Sequence, residues 1–195
     1  MTAVGTARRG RPRDETIDAA ILDATVQEMI EVGFFAISME RVAARAGVAK
    51  TTVYRRWPDA VELGVEALRR LKGTVGDVPE TDARGQIIWL AERMRRVWGN
   101  PTFAAAMRRV IAEGTAHPAL FRDAQDRLVG PHLVSLNAAI DRAKDDGLIR
   151  TDADTTWVRR LIVGPTLSAA LTLRKVPTAD ELVRTIDVVL RGLAP

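Results

Sequence analysis

SMERVAARAGVAKTTVYRRWPD, residues 38–59, reads as a helix, a sharp turn and a second short helix. Ser38 can cap the first helix through its hydroxyl, Val42 and Ala46 fall four apart on one face, and Ala43 is small where a crossing helix has to come close. Gly47 then ends that helix, because glycine enters the left-handed conformation at no steric cost, and Val48 is expected to tuck beneath the turn. Residues 49–57 follow as the second helix. The spacing predicts a helix-turn-helix whose second helix is of the size that enters a major groove.

Charge placement points the same way. Between Arg41 and Trp57 stand Arg41, Arg45, Lys50, Arg55 and Arg56 with no acid, whereas the preceding helical stretch carries Asp14, Glu15, Asp18, Asp23, Glu28 and Glu31 with no base. The expectation is a basic face that attracts phosphate on one side only. Upstream, Arg8, Arg9, Arg11 and Arg13 lie in TARRGRPR, a segment with nothing apolar to fold around, as expected of an arm that orders against a duplex or in its minor groove. A basic cluster alone is commonly just a solvated face; it is the coincidence with the turn pattern that carries weight.

These residues resemble the tetracycline-repressor (TetR) family of bacterial transcription regulators. The similar segment runs through ILDATVQEMIEVGFFAISMERVAARAGVAKTTVYRRWPDAVELGVEAL, with Gly33 and Phe34, ARAGV and TTVYRRWP its most specific parts. The resemblance implies three helices in a DNA-binding unit and a fourth linking it to a helical core: Thr16 to Val32, Ser38 to Ala46, Ala49 to Arg56 and Asp59 to Leu71. It also implies that Lys50, Thr51, Thr52, Tyr54 and Arg55 lie in or over the major groove, with Thr52 and Tyr54 on phosphates. Family members often carry a lysine near the start of the fourth helix that touches the DNA backbone; here that position is Ala60, leaving Arg56 or the arginine arm to supply the charge. The second half resembles the family more loosely, in HPALFRDAQDRL, DGLIRTDAD and VGPTLSAALTL.

The chain has 195 residues, 47% of them hydrophobic, which is enough for one good core plus a small satellite unit. There is no cysteine, hence no disulfide framework, and the basic, polar N-terminus lacks the apolar run of a secretory signal, so the cytoplasm is the expected compartment. The net charge of +4 suits a polyanion binder. Strand patterning is almost absent, and an all-α fold is expected. Its division would be a basic arm at 1–13, a helix-turn-helix domain at 14–58, and a helical effector-binding and dimerisation domain at 59–195 that opens with a connecting helix at 59–71. The loop GTVGDVPETD should be followed by helices from Ala83 to Trp98, from a Thr102 cap to Glu113, from Pro118 to Asp146 with a break at Gly130 and Pro131, from Thr155 to Arg174, and from Thr178 to Arg191. The uncharged stretch Leu161 to Leu173 is too short to span a bilayer, and with Leu182, Val183, Ile186, Val189 and Leu190 it suggests core plus a homodimer interface on the last two helices, the pairing seen in the resembled family.

No catalytic constellation is visible. His117 and His132 lack metal-ligand partners, Ser38, Ser135 and Ser168 lack nucleophile-elbow surroundings, and no glycine-rich phosphate cradle occurs; neither a cofactor nor a metal is expected. The better clue to a ligand is the set Trp89, Met94, Trp98, Phe103, Met107, Phe121 and Trp157, on the helices that surround the effector cavity in similar proteins. The expected function is a dimeric transcriptional regulator, a repressor released from a palindromic double-stranded operator by a small molecule. An activator or an effector-free regulator is the alternative within that class. The alternative outside it is an all-helical small-molecule binding or catalytic protein whose helix-turn-helix merely packs.

Overall fold

The computed structural model describes residues 15–73, 76–173 and 175–195, and every regular element among them is helical. The order is α1 (Glu15–Val32), α2 (Met39–Arg45), α3 (Lys50–Tyr54), α4 (Ala60–Lys72), α5 (Ala83–Gly99), α6 (Pro101–Glu113), α7 (Pro118–Leu128), α8 (Gly130–Asp145), α9 (Thr155–Ser168) and α10 (Ala179–Gly192). A 3₁₀ turn, Phe34–Ala36, joins α1 to α2, and α9 widens into a π-type turn at Ala169–Leu173 instead of running unbroken as expected. Pro165 lies inside α9, where it removes a helical donor, and the Ala169 N–H is shared between the carbonyls of Pro165 and Thr166. No helix among the described residues is long and apolar enough to cross a membrane.

The helix ends follow local chemistry. The Ser38 hydroxyl accepts from the Arg41 N–H at 3.3 Å, Asp59 from Glu62 at 2.8 Å and Asp154 from Trp157 at 2.6 Å. Thr178 and Glu181 form a reciprocal capping box at the start of α10. Thr102 does not cap α6: Asn100 does, its side-chain oxygen accepting from Thr102 and Phe103 at 3.0 and 3.1 Å, while Pro101 fills the first helical position where no N–H is needed. At Gly47, with φ +67°, the Val48 N–H returns to the Ala43 carbonyl and the Gly47 N–H to Ala44. That pair of bonds turns α2 into α3.

Two apolar clusters hold the molecule together. In one, Ile21, Met29, Phe34, Val42, Val53 and Trp57, from the first three helices and the turns after α1 and α3, pack with Leu63 and Leu68 of α4 and with Phe103, Met107 and Leu128 beyond them. The other joins α5, α8, α9 and α10 through residues such as Ile87, Leu136, Ile162, Leu182 and Ile186, and Trp98 touches both. The expected division after residue 58 therefore does not coincide with a gap in packing. Gly33, with φ +104°, lets α1 close onto the end of α6, where a Cβ would stand 2.1 Å from the Glu113 carboxylate.

Candidate nucleic-acid interface and core cavity

α3 is anchored through a single buried side chain, Val53, with Trp57 buried just beyond it. Lys50, Thr51, Tyr54 and Arg55 are exposed and Thr52 is half-buried. Neither Lys50 nor Arg55 makes an ion pair among the described residues. The Tyr54 hydroxyl donates to Glu40 of α2 at 2.8 Å, which holds the Glu40 carboxyl below its ordinary range and raises the phenol. Glu40 also accepts from the Ser38 hydroxyl at 3.2 Å, so Ser38 is engaged as cap and donor at once.

The expectation of a uniformly basic face is corrected here. Arg41 closes onto Glu28 and also donates to the Ala36 carbonyl at 2.9 Å; Arg45 meets Glu31 at 2.5 and 2.8 Å and lies 3.7 Å from Glu28. Arg56 closes onto Asp18, with its side chain only 10% exposed. The acids of α1 thus serve as counterions for the bases of the next two helices. The cause is burial: Glu28 is 1% exposed, and a buried carboxylate is strongly unfavourable without paired donors. Of the basic residues expected to face phosphate, Lys50 and Arg55 stand clear, while Arg45 and Arg56 fasten α2 and the end of α3 to α1. Ala60 is half-buried against the reader's core, so no side chain from that position replaces the missing lysine. Arg8, Arg9, Arg11 and Arg13 lie outside the described residues.

A cavity of about 150 Å³ lies between α5, α6, α8 and α9, reached also by the end of α4 and by α7. Met94, Trp98, Phe103 and Met107 line it, and Trp98 meets Phe103 edge-on with ring centroids 5.6 Å apart. The other three expected lining residues are elsewhere. Trp89 borders an open groove near Gly76 that shares Lys72, Arg93 and Val97 with the cavity wall, Phe121 covers Gly114, and Trp157 stands 49% exposed on the outside of α9.

Sequence reasoning missed the polar lining, made of Arg93, His132, Lys72 and Gln125. Arg93 Nη1 faces His132 Nδ1 at 3.4 Å. Arg93 is 7% and His132 5% exposed, and neither Arg93 Nη2 nor His132 Nε2 has a hydrogen-bond partner among the described residues. Burial first, then the positive charges of Arg93 and Lys72, pushes the His132 imidazole down to about 4. Burial also lowers the Lys72 ammonium and the Arg93 guanidinium. One signal was available in ERMRR: Glu92 is spaced to pair with Arg95 and Arg96, as it does at 2.6 and 3.8 Å, leaving Arg93 the odd cation.

Residues 21–66 match the family model for bacterial regulatory proteins of the tetR family, and residues 78–189, more than half of the chain, match that of the tetracyclin repressor-like C-terminal domain. The chain is 32% identical over 168 residues to the DNA-binding transcriptional repressor TetR of Mycobacteroides abscessus, covering 81% of this chain and 88% of that one. It is 26% identical over 182 residues to the HTH-type transcriptional repressor KstR of Rhodococcus jostii, covering 87% and 81%. Among solved structures it resembles a TetR-family regulator from Rhodococcus sp. with a TM-score of 0.69 at 21% identity, covering 90% of this chain and 99% of that one.

Proposed function

The chain belongs to the tetracycline-repressor family of DNA-binding transcription regulators, and from that premise we propose that it is a homodimeric repressor released from a palindromic operator by a small molecule. The observation that carries the reading is the short α3, pinned by Val53 and Trp57, with Lys50, Thr51, Tyr54 and Arg55 exposed around it. Lys50, Thr51 and Arg55 would reach base edges; Thr52, Tyr54 and the α2 terminus at Ser38 would sit on phosphates; Arg8, Arg9, Arg11 and Arg13 would add contacts alongside. Arg45 and Arg56 serve by holding the two helices in register. The work is done at the chromosome, in the cytoplasm.

The dimer contact is proposed on the outer face of α9 and α10. Leu182, Ile186 and Leu190 are committed to the protomer's own core, but Trp157 and Val188 stand 49% and 61% exposed, and Gly164 between them leaves open space for a close approach. Signal transfer has two routes. α6 carries Phe103 and Met107 in the cavity wall and ends against Gly33 and Glu31 of the reader, where Arg109 donates to the Glu31 carbonyl at 3.5 Å. α4 carries Lys72 at one end and the link to α3 at the other, and Glu62 and Arg69 tie it to Arg127 of α7. A ligand that shifts either helix changes the spacing of two recognition helices that must meet major grooves about 34 Å apart.

Selection from a random duplex library with full-length protein tests the reading. The enriched sites should be inverted half-sites. Lys50→Ala or Arg55→Ala should change the selected bases, with a penalty of about 1–3 kcal/mol for each bidentate base pairing removed, and deleting residues 2–13 should flatten the salt dependence by about one unit of slope per phosphate released. Variants that keep the parental motif would remove base reading from α3. Transcription that rises when the protein is added would make it an activator.

A further inference from the structure

Arg93 and His132 are buried polar groups in an apolar cavity, and among the described residues no carboxylate lines that cavity. Every other arginine of α5 has a carboxylate partner: Arg95 and Arg96 share Glu92, and Arg84 meets Asp187 of α10 at 2.8 Å. We propose that the cavity is an anion site, built to take a small acid with an apolar body, whose carboxylate lies on Arg93, held in place by His132, while its body rests on Trp98, Phe103 and Met107. The proposal rests on the ligand-responsive reading above and names the chemical class of its effector.

The donor geometry favours a carboxylate. Arg93 Nη1 donates toward His132 Nδ1, so the proton of a neutral imidazole sits on Nε2, on the far side of the ring from the guanidinium. Arg93 Nη2 is then a charged donor without a partner, in a guanidinium that the imidazole holds in place, and a carboxylate is the acceptor that matches its charge. The second cation, Lys72, donates to the Leu128 carbonyl at 2.5 Å, a bond that occupies one of its N–H groups. Size agrees, because a cavity of about 150 Å³ holds a body on the order of a benzene ring. An anion beside Lys72 also competes with Leu128 for its ammonium at the end of α4, the helix that leads to the reader.

Calorimetric titration of the full-length protein with benzoate, phenylacetate and hexanoate, each beside its primary amide, tests this. The acids should bind at least about tenfold more tightly than their amides, as expected for a charge-assisted pair in a desolvated site. Arg93→Met should abolish that preference, Arg93→Gln should do the same while keeping a donor in place, and His132→Gln should weaken acid binding severalfold. Equal affinity for acid and amide, a preference that survives both Arg93 variants, or no binding by any of the three acids overturns the anion site. Operator binding measured alongside separates the two readings. Acids that bind through Arg93 without changing DNA affinity would support the anion site and sink the ligand-responsive repressor; amides that displace DNA while acids do not would do the reverse.

Discussion

In the reader, Arg41, Arg45 and Arg56 each close onto a carboxylate of α1, whereas in the core Arg93 faces a neutral imidazole and a lysine with no carboxylate among the described residues lining the cavity. The two regions are similar in charge content along the chain and opposite in how that charge is held. Pairing makes the reader rigid, because the ion pairs tie together helices whose own apolar contacts are small: α3 buries only Val53. Leaving charge unpaired does the reverse. It costs stability, and under the proposed anion site it is the cost that a bound carboxylate would relieve. A cation's partner thus says more about its role than its place in a basic run.

The largest effect that would break this contrast is pH-dependent. His132 has an ordinary value of 6.5 and is held at about 4 in the folded protein, so between those values the unfolded chain binds a proton that the folded one does not. Folded stability should therefore fall as pH drops from about 6.5 toward 4, by up to about 3 kcal/mol, and this contribution should level off below 4. Denaturant unfolding at fixed protomer concentration, compared with His132→Gln, isolates it. A wild-type curve that parallels the variant would mean the imidazole is solvated and the cavity wet.

Next in size is a difference of sign. Arg56→Met removes the guanidinium, on a side chain only 10% exposed, that ties the end of α3 to Asp18 of α1, and should cost about 1–2 kcal/mol, whereas Arg93→Met removes an uncompensated buried charge and should stabilise the protein by about 1–2 kcal/mol. Thermal unfolding of both variants checks the pair. If Arg93→Met destabilised as Arg56→Met does, Arg93 would have a partner and the contrast would collapse.

The fold is legible in the sequence where the determining interactions are local. Gly47, the Ser38 cap, the helix starts at Asp59 and Thr178, and the break at Gly130 and Pro131 each act within a turn or two of the chain, and the structure has each of them in place. Asn100 displaces Thr102 as a cap because both residue types can accept there and the choice depends on where Pro101 opens the helix. What is not legible is long-range. Arg56 meets Asp18 across 38 positions, so a run of bases without acids looks like a free basic face when α1 has already supplied the counterions. Three of the seven expected lining residues lie off the cavity for a related reason. Aromatic residues mark apolar surface but not which apolar surface, and helix phase turns Trp157 outward and Phe121 onto Gly114. The diagnostic residues are the polar ones, which no apolar pattern can reveal.

The smallest effect tests whether the reader's own pairing has to open when DNA arrives. Tyr54 donates to Glu40 in the free protein, an exposed bond in which the phenol is a surface group. Losing it by Tyr54→Phe should cost at most about 0.5 kcal/mol of stability, since the exposed Glu40 carboxylate that accepted it regains water. On DNA the same hydroxyl would have to leave Glu40 for a phosphate, because the carboxylate repels the backbone. Tyr54→Phe should therefore weaken binding to operator and to random duplex alike, by a few-fold and without altering the selected motif. Glu40→Gln gives the complementary change: with the negative charge gone and the tyrosine held less firmly, affinity should rise for both DNAs. Fluorescence anisotropy on the two duplexes, at one stated salt concentration, reads both variants. If Tyr54→Phe weakened operator alone, the hydroxyl would be reading a base, and α3 would discriminate sequence through its aromatic residue as well as through Lys50 and Arg55.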